Sequence, residues 1–127
     1  MSNIPAQLLG AVIFAWYPHH DCVRKPGPKY RPVLITDIDN ASGMIQVAYG
    51  TSQHVDRQGR GEVVFNKTDM PGLCKVTKFC FLKTVWIPLS AQYLSKSQAG
   101  SDLTVLGRTP KSKLDDILQA LEEIECL

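Results

Sequence analysis

For its first hundred residues the chain alternates short apolar runs with polar, turn-forming stretches. Leu9 to Tyr17 (LGAVIFAWY) is apolar and rich in β-branched and aromatic residues. It predicts a mostly buried strand. Arg31 to Ile38 (RPVLITDI) predicts a second strand, with Pro32 at an edge or entry position because proline cannot donate to a ladder. DNASG is a turn, and Met44 to Tyr49 (MIQVAY) alternates as a third strand, forming a hairpin with the second. Glu62 to Phe65, one or two strands within Lys78 to Leu89, and Leu103 to Leu106 complete the β content. Residues 54–61 (HVDRQGRG) and 90–102 are polar and read as irregular.

The pattern changes near the end. Leu114, Ile117, Leu118, Leu121 and Ile124 recur at spacings of three and four, which predicts an amphipathic helix packed on its own barrel. Thr109 is placed to cap it and Pro110 suits its first turn. Several short strands and one terminal helix predict a small barrel, closed or nearly closed. There is no internal repeat, low-complexity tract or linker, so residues 1–127 read as one domain.

A 127-residue chain with 44% hydrophobic content can bury a single core. No run is long and apolar enough to span a bilayer, and the first residues lack the basic region and cleavage site of a signal peptide. The expected location is the cytoplasm. Cys22, Cys74, Cys80 and Cys126 form no CxxC pair and read as free thiols. Net charge is +2, but residues 115–125 hold Asp115, Asp116, Glu122, Glu123 and Glu125 without a basic residue. The preceding 113 residues carry all 14 basic residues against seven acidic ones, which suits a polyanionic partner.

Candidate chemistry centres on residues 18–22, PHHDC. A zinc site would need about four ligands. Adjacent His19 and His20 point apart in extended backbone, and only His54 remains to help. A Cys22–histidine nucleophile pair has no recognisable motif around it. The third reading is a polyanion-facing loop: His19 and His20 stand beside Arg24, Lys25, Lys29 and Arg31, and Trp16 and Tyr17 precede them as potential stacking platforms.

Gly10 before the first strand, Pro18 after it, the KYRPVLI segment (29–35) and Thr51-Ser52 ending the third strand together resemble the MazF/PemK toxin family. Gly72-Leu73, Thr77-Lys78-Phe79 and the strand containing Leu89 extend the resemblance over roughly the whole chain. It implies an SH3-like small barrel of the CcdB/MazF/PemK type, mainly β with a C-terminal helix. It also implies a homodimeric toxin of a type II toxin–antitoxin system that cuts single-stranded RNA sequence-specifically, without metal or other cofactor, through 2′-OH attack. A cognate antitoxin would cover the RNA groove with a disordered acidic segment, and DNA would be reached only through that antitoxin.

By the same resemblance, Arg31 and Thr51 match the catalytic arginine and threonine. His19 and His20 are candidates for proton transfer, with no choice made between them. RNA contacts are assigned to Trp16, Tyr17, Lys29, Ser52, Gln53, Lys75, Thr77 and Lys78. The chain departs from many members at Ala11, where an acidic residue is common, and at LCKVTKFCF (73–81), where a Gln/Arg/Ser-type motif is common. The alternative is a barrel of the same fold without chemistry, either an adaptor or a gyrase poison. Gyrase poisons of this fold rely on a tryptophan close to the C-terminus, and the last residues here, IECL, contain none.

Overall fold

A computed structural model describes residues 6–18, 27, 29–57, 59–73, 75–94 and 105–125. Six strands form one antiparallel sheet: β1 (Ala11–Trp16), β2 (Tyr30–Asp39), β3 (Met44–Thr51), β4 (Glu62–Phe65), β5 (Thr77–Pro88) and β6 (Val105–Arg108). Their spatial order is β4-β5-β3-β2-β1-β6. A short 3₁₀ turn (Ala6–Leu8) precedes β1, and α1 (Ala91–Leu94) follows β5. A second 3₁₀ turn (Lys111–Lys113) leads into α2 (Leu114–Glu125).

The central strands are buried on both faces, so their side chains feed two cores. Ala11, Ile13, Ala15, Val33, Ile35, Ile45 and Val47 pack with Tyr93 and Leu94 of α1 on one face. Val12, Leu34 and Ala48 pack on the other with Phe65, Phe79, Phe81, Met70 and Ala120 of α2. This is why the strands read as nearly continuous apolar runs. β5 serves both cores through an irregularity. Its pairing steps from Ala48↔Thr84 to Tyr49↔Cys80, leaving three extra residues on β5. An odd shift turns side chains to the opposite face. Phe79 and Phe81 therefore enter the second core, whereas Val85 and Ile87 enter the first.

β4 and β6 are the edges, and the connection after β4 fills the seam between them. Met70 is buried against Gly107, and Gly72 lies so close to the Leu106 carbonyl that any Cβ there would collide with it. The sheet is thus a curled half-barrel whose seam is packed by side chains and the loop after β4, with no ladder joining β4 to β6 among the described residues.

Four sequence expectations change or narrow. Pro32 lies on an interior strand, opposite Phe14 of β1, so it marks strand entry and not an edge. The Thr109 hydroxyl donates to the Gly10 carbonyl at 2.7 Å and caps no helix; tertiary hydrogen bonding has claimed it. The apolar stripe of α2 divides: Ile117, Ala120 and Ile124 pack on the barrel, while Leu114, Leu118 and Leu121 are exposed. Residues 91–94, read as irregular, form α1 because Tyr93 and Leu94 have a core to enter.

Candidate functional site

β2 and β3 pair antiparallel with Val33 opposite Tyr49 and Ile35 opposite Val47. The ladder ends there; Arg31 and Thr51 lie two residues further along their strands, and both line one groove. The hairpin between them thus brings residues twenty positions apart to one place. Gly50 makes this junction possible. A Cβ there would strike the Pro32 carbonyl and come within 2.8 Å of the Phe79 ring, so the two strands close only around a hydrogen.

Beside this pair lies a groove of about 500 Å³. Its floor is Phe14, Tyr30, Pro32, Gly50 and Leu73. Lys29, Arg31, Thr51, Ser52, Lys75 and the buried Thr77 complete its lining. Three cationic residues and the hydroxyls of Thr51 and Ser52 therefore border an apolar bed, a composition suited to a ligand with flat rings and anionic groups. The Thr77 hydroxyl donates to the Lys75 carbonyl at 3.0 Å. Tyr30 is fixed in that bed. It stacks on Phe14 (5.1 Å, 14° between planes) and donates its hydroxyl to the Leu94 carbonyl at 2.7 Å. Burial pushes its pKa up.

The two principal side chains are held differently. Thr51 Oγ1 accepts the Gln53 backbone N–H at 3.1 Å, which leaves its own hydroxyl proton to donate elsewhere. The Arg31 guanidinium carbon sits 4.9 Å from the centre of the Tyr49 ring. Both residues are partly buried, while Lys29, Lys75 and Ser52 are exposed.

The structure thus brings Arg31, Thr51, Lys29, Ser52, Lys75 and Thr77 to one groove. Gln53 is exposed just beyond Thr51. Trp16 tilts onto Tyr30 (4.9 Å) and lies outside the described lining. His19 and His20 lie outside the described residues; the flanking Pro18 and Gly27 are buried, and the Gly27 N–H donates to the Trp16 carbonyl.

Two of the assigned residues lie away from this groove's lining. Tyr17 is buried, not presented as an open stacking platform. It is 8% exposed, its ring meets Tyr49 edge-on at 5.0 Å, and its hydroxyl donates to the Lys83 carbonyl at 2.7 Å. Burial, followed by the neighbouring Cys80 and Tyr49, raises its pKa to about 12. Lys78 is likewise buried, and it reaches Glu62 at 3.1 Å and the Arg57 carbonyl at 2.9 Å. Its ammonium is engaged by the Glu62 carboxylate and the Arg57 carbonyl. Pattern reading assigned none of Phe14, Tyr30, Pro32, Leu73 and Tyr49 to the site: Phe14 and Tyr49 read as strand residues, Tyr30 as loop and Pro32 as a strand-entry position.

Among the described residues, no three His, Cys, Asp or Glu side chains come together in a way that could hold a metal ion. Cys80 is a buried free thiol. No described helix is long and apolar enough to cross a membrane.

No protein-family model matches the chain, and no curated protein matches it. Among solved structures, it is similar to an endoribonuclease in complex with its cognate antitoxin from Mycobacterial species. The two share 16% identity with a TM-score of 0.64, over 98% of this chain and 97% of the other. The likeness runs the full length and establishes a common fold.

Proposed function

We propose that the protein is a toxin of the MazF/PemK kind: a metal-independent endoribonuclease that cuts single-stranded RNA and thereby arrests growth. The observation that carries this reading is that Arg31 and Thr51, from adjacent strands, line one groove together with Lys29 and Lys75. The same two residues match the catalytic pair of the family the sequence resembles. The full-length likeness to an endoribonuclease supports it independently.

The geometry accounts for the charge problem of the reaction. Attack of a ribose 2′-OH on the adjacent phosphorus builds negative charge on the non-bridging oxygens. Arg31 supplies a permanently charged planar donor to those oxygens. The Thr51 hydroxyl, with its oxygen already accepting from Gln53, donates to the same phosphate. Loss of the 5′-oxygen leaves a 2′,3′-cyclic phosphate and a 5′-OH. His19 or His20 takes the 2′-OH proton or protonates the leaving oxygen in this scheme. Lys29 and Lys75 hold flanking phosphates, while unpaired bases lie on the Tyr30 side of the groove.

An acidic, poorly ordered antitoxin segment fits the same cationic rim and would exclude RNA by occupying it. A homodimer fits α2, whose exposed Leu114, Leu118 and Leu121 form a stripe. Lys111 flanks one end of that stripe and Glu122 the other. Antiparallel pairing with a second copy would bury the leucines and set each Lys111 against the opposite Glu122.

The test is incubation with long single-stranded RNA in EDTA, followed by end mapping. Fragments with 5′-OH ends are expected. Intact RNA at high concentrations of folded protein would overturn the nuclease reading in favour of a non-catalytic barrel.

A further inference from the structure

We propose that Tyr49 is a positioning residue for Arg31, supported from behind by Tyr17; the inference rests on the catalytic role given to Arg31 above. An arginine at a strand end is ordinarily a mobile side chain with many rotamers. Here its guanidinium is held over an aromatic face, 4.9 Å from the Tyr49 ring centre. The contact follows from the sheet. Tyr49 faces Val33, and Arg31 lies two residues along the same strand, so the pair is a cross-strand diagonal within reach of long side chains.

The Tyr49 ring is itself buttressed. Tyr17 meets it edge-on at 5.0 Å and 70°, the arrangement the ring quadrupole favours. Tyr17 is buried and fixed by its hydrogen bond to the Lys83 carbonyl. That carbonyl lies in the three extra residues of β5, beside the Tyr49↔Cys80 pair. The irregularity of β5 therefore ends in a stack: Lys83 carbonyl, Tyr17 hydroxyl, Tyr49 face, Arg31 cation. A guanidinium confined by an aromatic face meets the developing phosphorane charge without first being ordered, which lowers the barrier and leaves ground-state binding largely alone.

The test pairs Tyr49→Leu and Tyr49→Phe with the wild type. Phe keeps the aromatic face, and Leu keeps apolar bulk without it. Side-chain NMR of the Arg31 Nε–H group, assigned by its loss in Arg31→Ala, reads positioning without reference to activity. In wild type and Tyr49→Phe it should be ring-current shifted and ordered; in Tyr49→Leu both properties should vanish. RNA cleavage by Tyr49→Leu should lose about 10-fold in kcat with KM changed less than twofold, and Tyr49→Phe should restore it. An unshifted, disordered Arg31 signal in the wild type overturns the proposal without any variant. So does wild-type kcat in folded Tyr49→Leu. Failure of the wild type to cut RNA would remove the nuclease reading alone, and the NMR comparison would still decide whether Tyr49 holds Arg31.

Discussion

The hydroxyl of Tyr17 donates a 2.7 Å hydrogen bond to the carbonyl of Lys83, joining the end of β1 to the displaced residues of β5. Tyr17→Phe leaves that carbonyl without its partner and should cost about 1–2 kcal/mol in a denaturant melt. The phenol also sets an alkaline limit. It keeps its proton to about 12 in the folded chain and releases it near 10 when unfolded. Between those values the folded state binds more protons, so stability should fall as pH rises from 10 toward 12 and be unaffected by this group below. Tyr17→Phe should show a shallower alkaline decline; an unchanged slope would count against the buried phenol as its source.

Lys78 and Glu62 form an ion pair in which each has a second task. Lys78 also binds the Arg57 carbonyl, and Glu62 accepts the Gly59 N–H at 2.6 Å. Lys78→Ala leaves a partly buried carboxylate unpaired and should destabilise by about 2–4 kcal/mol. Because its ammonium is engaged by Glu62 and the Arg57 carbonyl, it should leave the salt dependence of RNA binding unchanged. Lys29→Ala and Lys75→Ala should do the opposite, each lowering the log–log salt slope by about 0.7 with stability retained. Titrations of a non-cleavable oligonucleotide at several salt concentrations separate the two classes.

Gly50 stands where any side chain meets the Pro32 carbonyl and the Phe79 ring. Gly50→Ala should force β2 and β3 apart at the end that carries Arg31 and Thr51. The expected result is a stability loss of about 1–3 kcal/mol together with a larger loss of RNA cleavage. Gly43→Ala offers a contrast, since nothing lies within 4 Å of its Cβ; its positive φ of 71° should cost some stability without touching the groove.

The strands were legible because each is a short apolar run bounded by turn residues, and β4 was read to the residue. What the pattern could not carry was which face each run serves. Tyr17 continues an apolar strand and precedes a basic loop, so it reads equally as core or as ligand platform; only the three-residue shift in β5 supplies the carbonyl that makes it core. Lys78 reads as a surface cation until Glu62, sixteen residues away, is folded against it. Arg31 and Thr51 were singled out through family resemblance. That they line one groove follows from the β2–β3 hairpin, whose adjacent strands carry them to the same end of the sheet. The α2 stripe was located correctly, but its width concealed two faces with different tasks.

Those two faces should separate by mutation. Leu118→Glu changes a side chain that is 58% exposed and should leave the fold intact, while converting a dimer to a monomer by sedimentation analysis. Ala120→Glu places a charge at a position 2% exposed and should unfold the helix from the barrel. A dimer that survives Leu118→Glu at micromolar concentration would contradict pairing through α2.

The central claim is that Arg31 and Thr51 form one cleavage site. It is tested most directly by following a long single-stranded RNA in EDTA with wild type, Arg31→Ala, Thr51→Ala and the double variant, each confirmed as folded. The account predicts 5′-OH ends from the wild type, a loss of at least about 100-fold for Arg31→Ala, a clear loss for Thr51→Ala, and a double variant little worse than Arg31→Ala because the two act on one phosphate. Full cleavage by both single variants would contradict it.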